Sequence, residues 1–202
     1  MKLSDVGLKE GLVAETIVTT YNEDGSPNAA PMGIRASGED ELLLRIHTTS
    51  DTYKNLIRNK GCVINISFDP YLFITTTILG EGKGSRECEI DPKQVEEAKK
   101  VKAPFLKECQ AYIEAELLEH HEYILIDEYK ESEVSNVKCK AKDIHIVGGP
   151  VAVNRGLFAA IELAIALSRK KHADIEEYLT IMEKTLPPED YKRIIAFLKS
   201  RI

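Results

Sequence analysis

The stretch from Leu42 to Ser67 limits the fold more than any other. Leu42-Leu43-Leu44-Arg45-Ile46 is an apolar run that predicts a strand, and Thr48, Thr49 and Ser50 crowd three hydroxyls into the corner after it. A short helix is expected from about Asp51, with Ser50 or Asp51 as its N-cap. It gains positive charge at Arg58 and Lys60 and should stop at Gly61. Cys62-Val63-Ile64-Asn65-Ile66 then predicts a second strand. A helix N-terminus presents unpaired N–H groups and a partial positive charge. The hydroxyls of Thr48, Thr49 and Ser50 and the ammonium of Lys54 add donors, a combination that suits a phosphate. Asp51 opposes that reading unless its carboxylate turns away. A plain strand–helix–strand corner, with hydroxyls that only cap the helix, fits the same residues.

Upstream, Leu12–Tyr21 is rich in Val, Ile, Thr and Tyr and predicts a strand, with a hairpin turn at 22–27 signalled by Asp24-Gly25. The chain returns through Asn28–Arg35, where Pro31 removes a ladder donor and places this strand at an edge or bulge. Small residues and Gly33 let a flat group approach that backbone. Downstream, a strand is expected within Tyr71–Leu79, with a short helix near Leu72 as the alternative, and Gly80–Gly84 is expected as a flexible loop without P-loop spacing. Asp91-Pro92 should open a helix reaching about Lys102. Strands are expected at Ala111–Leu117, Tyr123–Tyr129 and Val137–Val147. After Gly148-Gly149-Pro150 the pattern turns helical: Leu157–Arg169, apolar except for Glu162, then a helix capped by Asp174, then one from Pro188 to Ser200.

The length of 202 residues allows one large domain or a domain with an appendage, and 43% hydrophobic against 30% charged residues predicts a folded core. A formal charge of −6 disfavours a broad nucleic-acid face, so no nucleic-acid partner is expected. The apolar run Leu157–Leu167 is too short to span a bilayer, so no membrane partner is expected either. Met1–Gly11 has no apolar core of a secretory signal, and four scattered cysteines form no C-x-x-C pair. These features predict a cytoplasmic chain with reduced thiols. His120-His121 is expected as a surface turn, because neighbours in a strand face opposite ways and cannot share an ion. His47 beside the hydroxyl corner reads as a packed strand histidine or as a group near a ligand, and His145 and His172 lack informative neighbours. No metal site and no catalytic acid, base or nucleophile is read from the sequence. Asn154 is expected to cap the apolar helix, with Arg155 as a surface group or an anion partner.

Two passages resemble a known family. Asn28-Ala29-Ala30-Pro31-Met32-Gly33-Ile34 is similar to the second strand of flavin reductase-like proteins. Thr52-Tyr53-Lys54-Asn55-Leu56, followed by Asn59–Ile66, resembles that family's threonine–asparagine helix and its Val-Asn strand. Asn154-Arg155-Gly156 with the apolar helix resembles one archaeal branch of unknown function. The resemblance implies an α+β fold, mainly β: a split β-barrel over residues 1–150 and a C-terminal helical appendage over 151–202. It implies FMN as cofactor and a homodimer with the flavin near the subunit interface. It implicates Thr48, Thr49, Ser50, Thr52 and Lys54 at the phosphate, with Arg35 as a basic partner, and Ala30, Pro31, Met32 and Gly33 at the ring. Arg155 is carried with them as a cofactor-binding candidate. Gly33 departs from the serine common in the reductases, and no nicotinamide-binding motif is present. The implied activity is an oxidoreductase of unknown substrate. The alternatives are a non-enzymatic flavin carrier or sensor and a flavin-free interaction module.

Overall fold

Strict alternation in Glu41–His47 turns Leu42, Leu44 and Ile46 inward and Leu43, Arg45 and His47 outward. That two-residue period builds a β-barrel. The computed structural model describes residues 1–10, 12–80, 89–126, 131–149, 154–169 and 174–200. It divides into two units, Met1–Ser67 with Ile90–Gly149, and Phe68–Glu89 with Pro150–Ile202. Residues 81–84 of the glycine-rich loop, Cys88, His172 and the expected strand end at 127–129 lie outside the described residues.

The first unit contains β1 (Val13–Tyr21), β2 (Pro27–Ser37), β3 (Glu41–His47), α1 (Asp51–Asn59) and β4 (Gly61–Ile66). It continues with β5 (Val95–Glu97), β6 (Pro104–Leu106), β7 (Ala111–Ile126) and β8 (Glu131–Ile146). Six strands close a barrel in the order β1–β2–β3–β8–β7–β4, and neighbouring pairs are antiparallel. Val18, Ile34, Leu44, Leu56, Ile64 and Ile113 are among the side chains that fill it. β2 pairs with β1 from Pro27 to Arg35 but with β3 only from Ile34 to Ser37. Pro31 therefore sits on a segment with a free edge, where its missing N–H costs no ladder bond.

Five expectations need correction in this unit. The helix expected from Asp91 to Lys102 is only a turn at Pro92–Gln94 followed by the β5–β6 ribbon. Buried barrel side chains claim the ribbon's backbone: Thr19 Oγ1 donates to the Pro104 carbonyl, and Leu106 N donates to Asn65 Oδ1. The two strands expected across 111–129 are one continuous strand, β7, and His120-His121 lies within it instead of at a turn. The long partner strand β8 holds that stretch extended and starts earlier than Val137. Finally, α1 ends on Lys60, which takes the left-handed conformation at φ 59°, while Gly61 begins β4. Gly61 serves packing: a Cβ there would lie 2.9 Å from Val101 Cβ.

The second unit consists of α2 (Pro70–Gly80), α3 (Arg155–Ser168), α4 (Ile175–Thr185) and α5 (Pro188–Lys199). Helix α2 replaces the strand expected within Tyr71–Leu79. Asp69 Oδ1 accepts from the amides of Tyr71 and Leu72, and Thr75, Thr76 and Thr77 donate their hydroxyls to carbonyls one turn back. The bonds satisfy the hydroxyls, while Tyr71, Ile74 and Ile78 pack into the core of this unit and outweigh the weak helix preference of a β-branched run. Ile74, Ala160, Leu163, Met182, Ile194 and Leu198 share one core. Asn154 caps α3 by accepting from Gly156 N, and its Nδ2 donates to the Thr185 carbonyl. Asp174 holds the N-cap position of α4 at φ 71° without a side-chain cap bond. No described helix is long and apolar enough to cross a membrane.

Gly156 is where the α3 start meets the α4 end. A Cβ there would lie 2.6 Å from Leu186 Cγ and 2.8 Å from Thr185 Oγ1. Gly156→Ala should cost about 1–3 kcal/mol through overpacking. Chemical denaturation will show it, with the exposed Phe158→Ala as a near-neutral control on the same helix.

Candidate functional site

The corner after β3 is set by local bonds. Thr48 N donates to the Glu133 carbonyl, and Ser50 N donates to the His47 carbonyl. Ser50 Oγ donates to His47 O at 2.8 Å and accepts from Tyr53 N at 3.2 Å, so Ser50 is the N-cap of α1. Lys54 N bonds the Ser50 carbonyl. The Asp51 and Thr52 amides of the first turn then have no acceptor among the described residues, as expected at a helix start. Thr49 is exposed, and Thr48 Oγ1 lies 3.4 Å from both the carbonyl and the carboxylate of Glu133. Lys54 is exposed and pairs with Asp51 at 3.4 Å, which draws that carboxylate toward the lysine.

Thr52 is buried at 2% exposure, and its hydroxyl accepts from Asn28 Nδ2 at 3.0 Å. The same amide donates to Thr20 Oγ1, as does Asn55 Nδ2. Arg58 in turn donates to Asn55 Oδ1 and to the Tyr21 carbonyl. This network fastens the start of α1 against the free edge of β2, next to Ala30, Pro31, Met32 and Gly33, which are all half-buried. Pairing with Val18, Thr16 and Ala14 turns Ala30, Met32 and Ile34 inward, so Pro31 and Gly33 face outward. Thr16 Oγ1 holds the Met32 carbonyl at 3.0 Å. Tyr53 closes the other side: its hydroxyl donates to Glu122 and lies 3.0 Å from His120 Nδ1. Burial, and then Glu122, push that phenol above the ordinary tyrosine range.

The structure groups Thr48, Thr49, Ser50, Thr52 and Lys54 at the start of α1 and ties that start to Asn28 of β2, the strand that continues through Ala30–Gly33. Ser50 and Thr52 are already engaged as cap and strut. Arg35 is elsewhere: it is exposed opposite Leu43, four residues before His47, roughly 13 Å along the strand. Arg45, exposed and two residues before His47, is the nearer cation. Arg155 is the exposed first residue of α3 in the helical unit. Sequence reasoning missed Asn28 and Asn55 as the struts of the corner. The available signal was the spacing of Thr52 and Asn55, three apart on one face of a helix.

The model of the family described as "Protein of unknown function (DUF447) N-terminal domain" matches residues 14–148. The chain belongs to this family. Among solved structures, an FMN-bound DUF447 protein from Methanosarcina mazei superposes with a TM-score of 0.73 at 24% identity, over 98% of this chain and 99% of that one. A flavin reductase described as putative and as having a split barrel domain, from Shewanella frigidimarina, gives 0.53 at 17% identity, over 71% of each chain. Nitrilotriacetate monooxygenase component B from Bacillus cereus gives 0.52 at 18% identity, over 71% of this chain and 74% of that one. The DUF447 chain thus has the split-barrel fold of flavin reductase-like proteins, with added C-terminal helices.

Proposed function

We propose that this DUF447 protein binds FMN and works as a flavin-dependent oxidoreductase. The observation that carries the reading is the Asn28–Thr52 hydrogen bond, which sets an anion-receptive helix start beside a strand edge of small residues. The FMN-bound Methanosarcina mazei protein, similar over almost the full length, supports it. The phosphate is assigned to the first turn of α1, with Thr48, Thr49 and Lys54 around it, and the ring to the edge at Ala30–Gly33. Bound FMN supplies electron transfer; the protein binds the cofactor, orients it and sets its surroundings. A homodimer is part of the proposal, with the second subunit covering the flavin. Ile124 and Ile126, on one face of β7 and 63% and 72% exposed, suit such an interface. A cytoplasmic setting fits the buried free thiols Cys62, Cys109 and Cys139.

The phosphate assignment is tested by comparing FMN with riboflavin. Lys54 is exposed and shared with Asp51, so Lys54→Ala should weaken FMN by about 1 kcal/mol, roughly fivefold. Riboflavin affinity should not change. Glu133→Gln, which removes a carboxylate beside Thr48, should tighten FMN. Equal losses of FMN and riboflavin in Lys54→Ala would remove the phosphate from this corner.

A further inference from the structure

We propose a second site, independent of the flavin reading: Glu114, Asp143 and His145 form a three-ligand site for a zinc-class divalent cation on the outer face of the β7–β8 ladder. Glu114 pairs directly with Asp143 and Tyr112 with His145. Asp143 and His145 are two apart on β8, so the three side chains project from one face, opposite the inward Ile113 and Ile144. One ligand atom from each lies within 4.8 Å of the others.

Burial makes the cluster unusual. The Glu114 side chain is only 1% exposed, yet its Oε1 has no hydrogen-bond partner among the described residues, and neither has the buried Nε2 of His145. An uncompensated buried carboxylate is costly. Each carboxylate has its second oxygen occupied, and the His145 ring is held by stacking. The Lys100 amide donates to Glu114 Oε2, and the Ile144 amide donates to Asp143 Oδ1. The His145 ring stacks on Tyr112, with centroids 4.4 Å apart, and Tyr112 stacks on Phe105 at 4.2 Å. Glu114 Oε1, Asp143 Oδ2 and His145 Nε2 are left on the side where the three residues meet, and the bonds to the two carboxylates are of the kind that orient metal ligands.

Two of the three spacings suit zinc. His145 Nε2 is 3.4 Å from Glu114 Oε1 and 3.3 Å from Asp143 Oδ2. Two ligands each about 2.0–2.1 Å from zinc at a tetrahedral angle stand about 3.3–3.4 Å apart. An imidazole donor argues against calcium and magnesium, which take oxygen ligands. Three protein ligands leave a fourth position for water. It faces the solvent side, where Asp143 and His145 are 41% and 31% exposed. The rival is a metal-free cluster in which His145 pairs with the two carboxylates.

The test is titration of chelator-stripped full-length protein with zinc by calorimetry, and with cobalt(II) by visible spectroscopy. The site predicts one zinc per chain, the strong visible bands of tetrahedral cobalt, and a higher melting temperature with zinc. His145→Ala and the near-isosteric Glu114→Gln should each weaken zinc at least 100-fold and erase the bands and the thermal shift. The His120→Ala/His121→Ala variant should keep all three. Should His145→Ala unfold, Glu114→Gln and Asp143→Asn decide, with circular dichroism confirming that they are folded. No uptake by the wild type, or uptake unchanged in folded ligand variants, would overturn the site and leave the metal-free cluster.

Discussion

Asn65→Leu should be among the most destabilising single substitutions in the barrel, at about 3–5 kcal/mol. Asn65 is fully buried in β4. Its Nδ2 donates to the Ile17 carbonyl at 3.0 Å and to Thr19 Oγ1 at 2.9 Å, and its Oδ1 accepts from Leu106 N at 2.8 Å. Leucine fills a similar volume but returns none of these bonds. The Ile17 carbonyl loses this donor and the Leu106 amide its acceptor in a dry interior, each at about 1–3 kcal/mol. Because Leu106 lies in β6, the β5–β6 ribbon should loosen before the barrel does. Urea titration will give the total loss, and amide exchange at Leu106 will give the local one. A fully stable variant with a protected Leu106 amide would contradict this account of what holds the ribbon.

The second large effect is expected at Gly33. A Cβ at this position would lie 2.9 Å from Val13 Cγ1 and 3.4 Å from Glu15 Oε1. Val13 is half exposed and can turn aside, and valine suits a strand, so Gly33→Val should lower stability by less than about 1 kcal/mol. Its branched side chain would stand beside the edge proposed for the ring. FMN affinity should therefore fall by about 2 kcal/mol, roughly 30-fold, within the usual cost of overpacking. Gly33→Ser, smaller and unbranched, should retain binding. Melting curves and FMN titration on the same samples separate a folding defect from a binding defect. Intact affinity in well-folded Gly33→Val would remove this strand from the site.

The barrel was legible where one face of a strand is buried and the other is wet. Leu42–Ile46 is an apolar run whose alternate residues face inward, Asp24-Gly25 marks the turn between β1 and β2, and Ser50 marks the start of α1. Legibility fails where a distant group decides. Tyr71–Leu79 has strand composition, but Tyr71, Ile74 and Ile78 pack with Ala160, Leu163 and Ile194 from far along the chain and the run becomes helix. Asp91-Pro92 reads as a helix start, yet Thr19 and Asn65 hold the following residues as a ribbon. At the candidate site the hydroxyl corner was visible, whereas the engagement of Thr52 by Asn28, 24 residues away, was not. The same holds for Glu114 and His145, joined only by the register of β7 and β8. The local Asp143-Ile144-His145 alternation was the one part of that cluster in view.

FMN binding is read from the visible spectrum of the purified protein, followed by release of any chromophore and its identification by mass. The protein should show the two-banded spectrum of an oxidised flavin and carry one FMN per chain, restored by adding FMN to stripped protein. A colourless protein that takes up no FMN would contradict FMN binding.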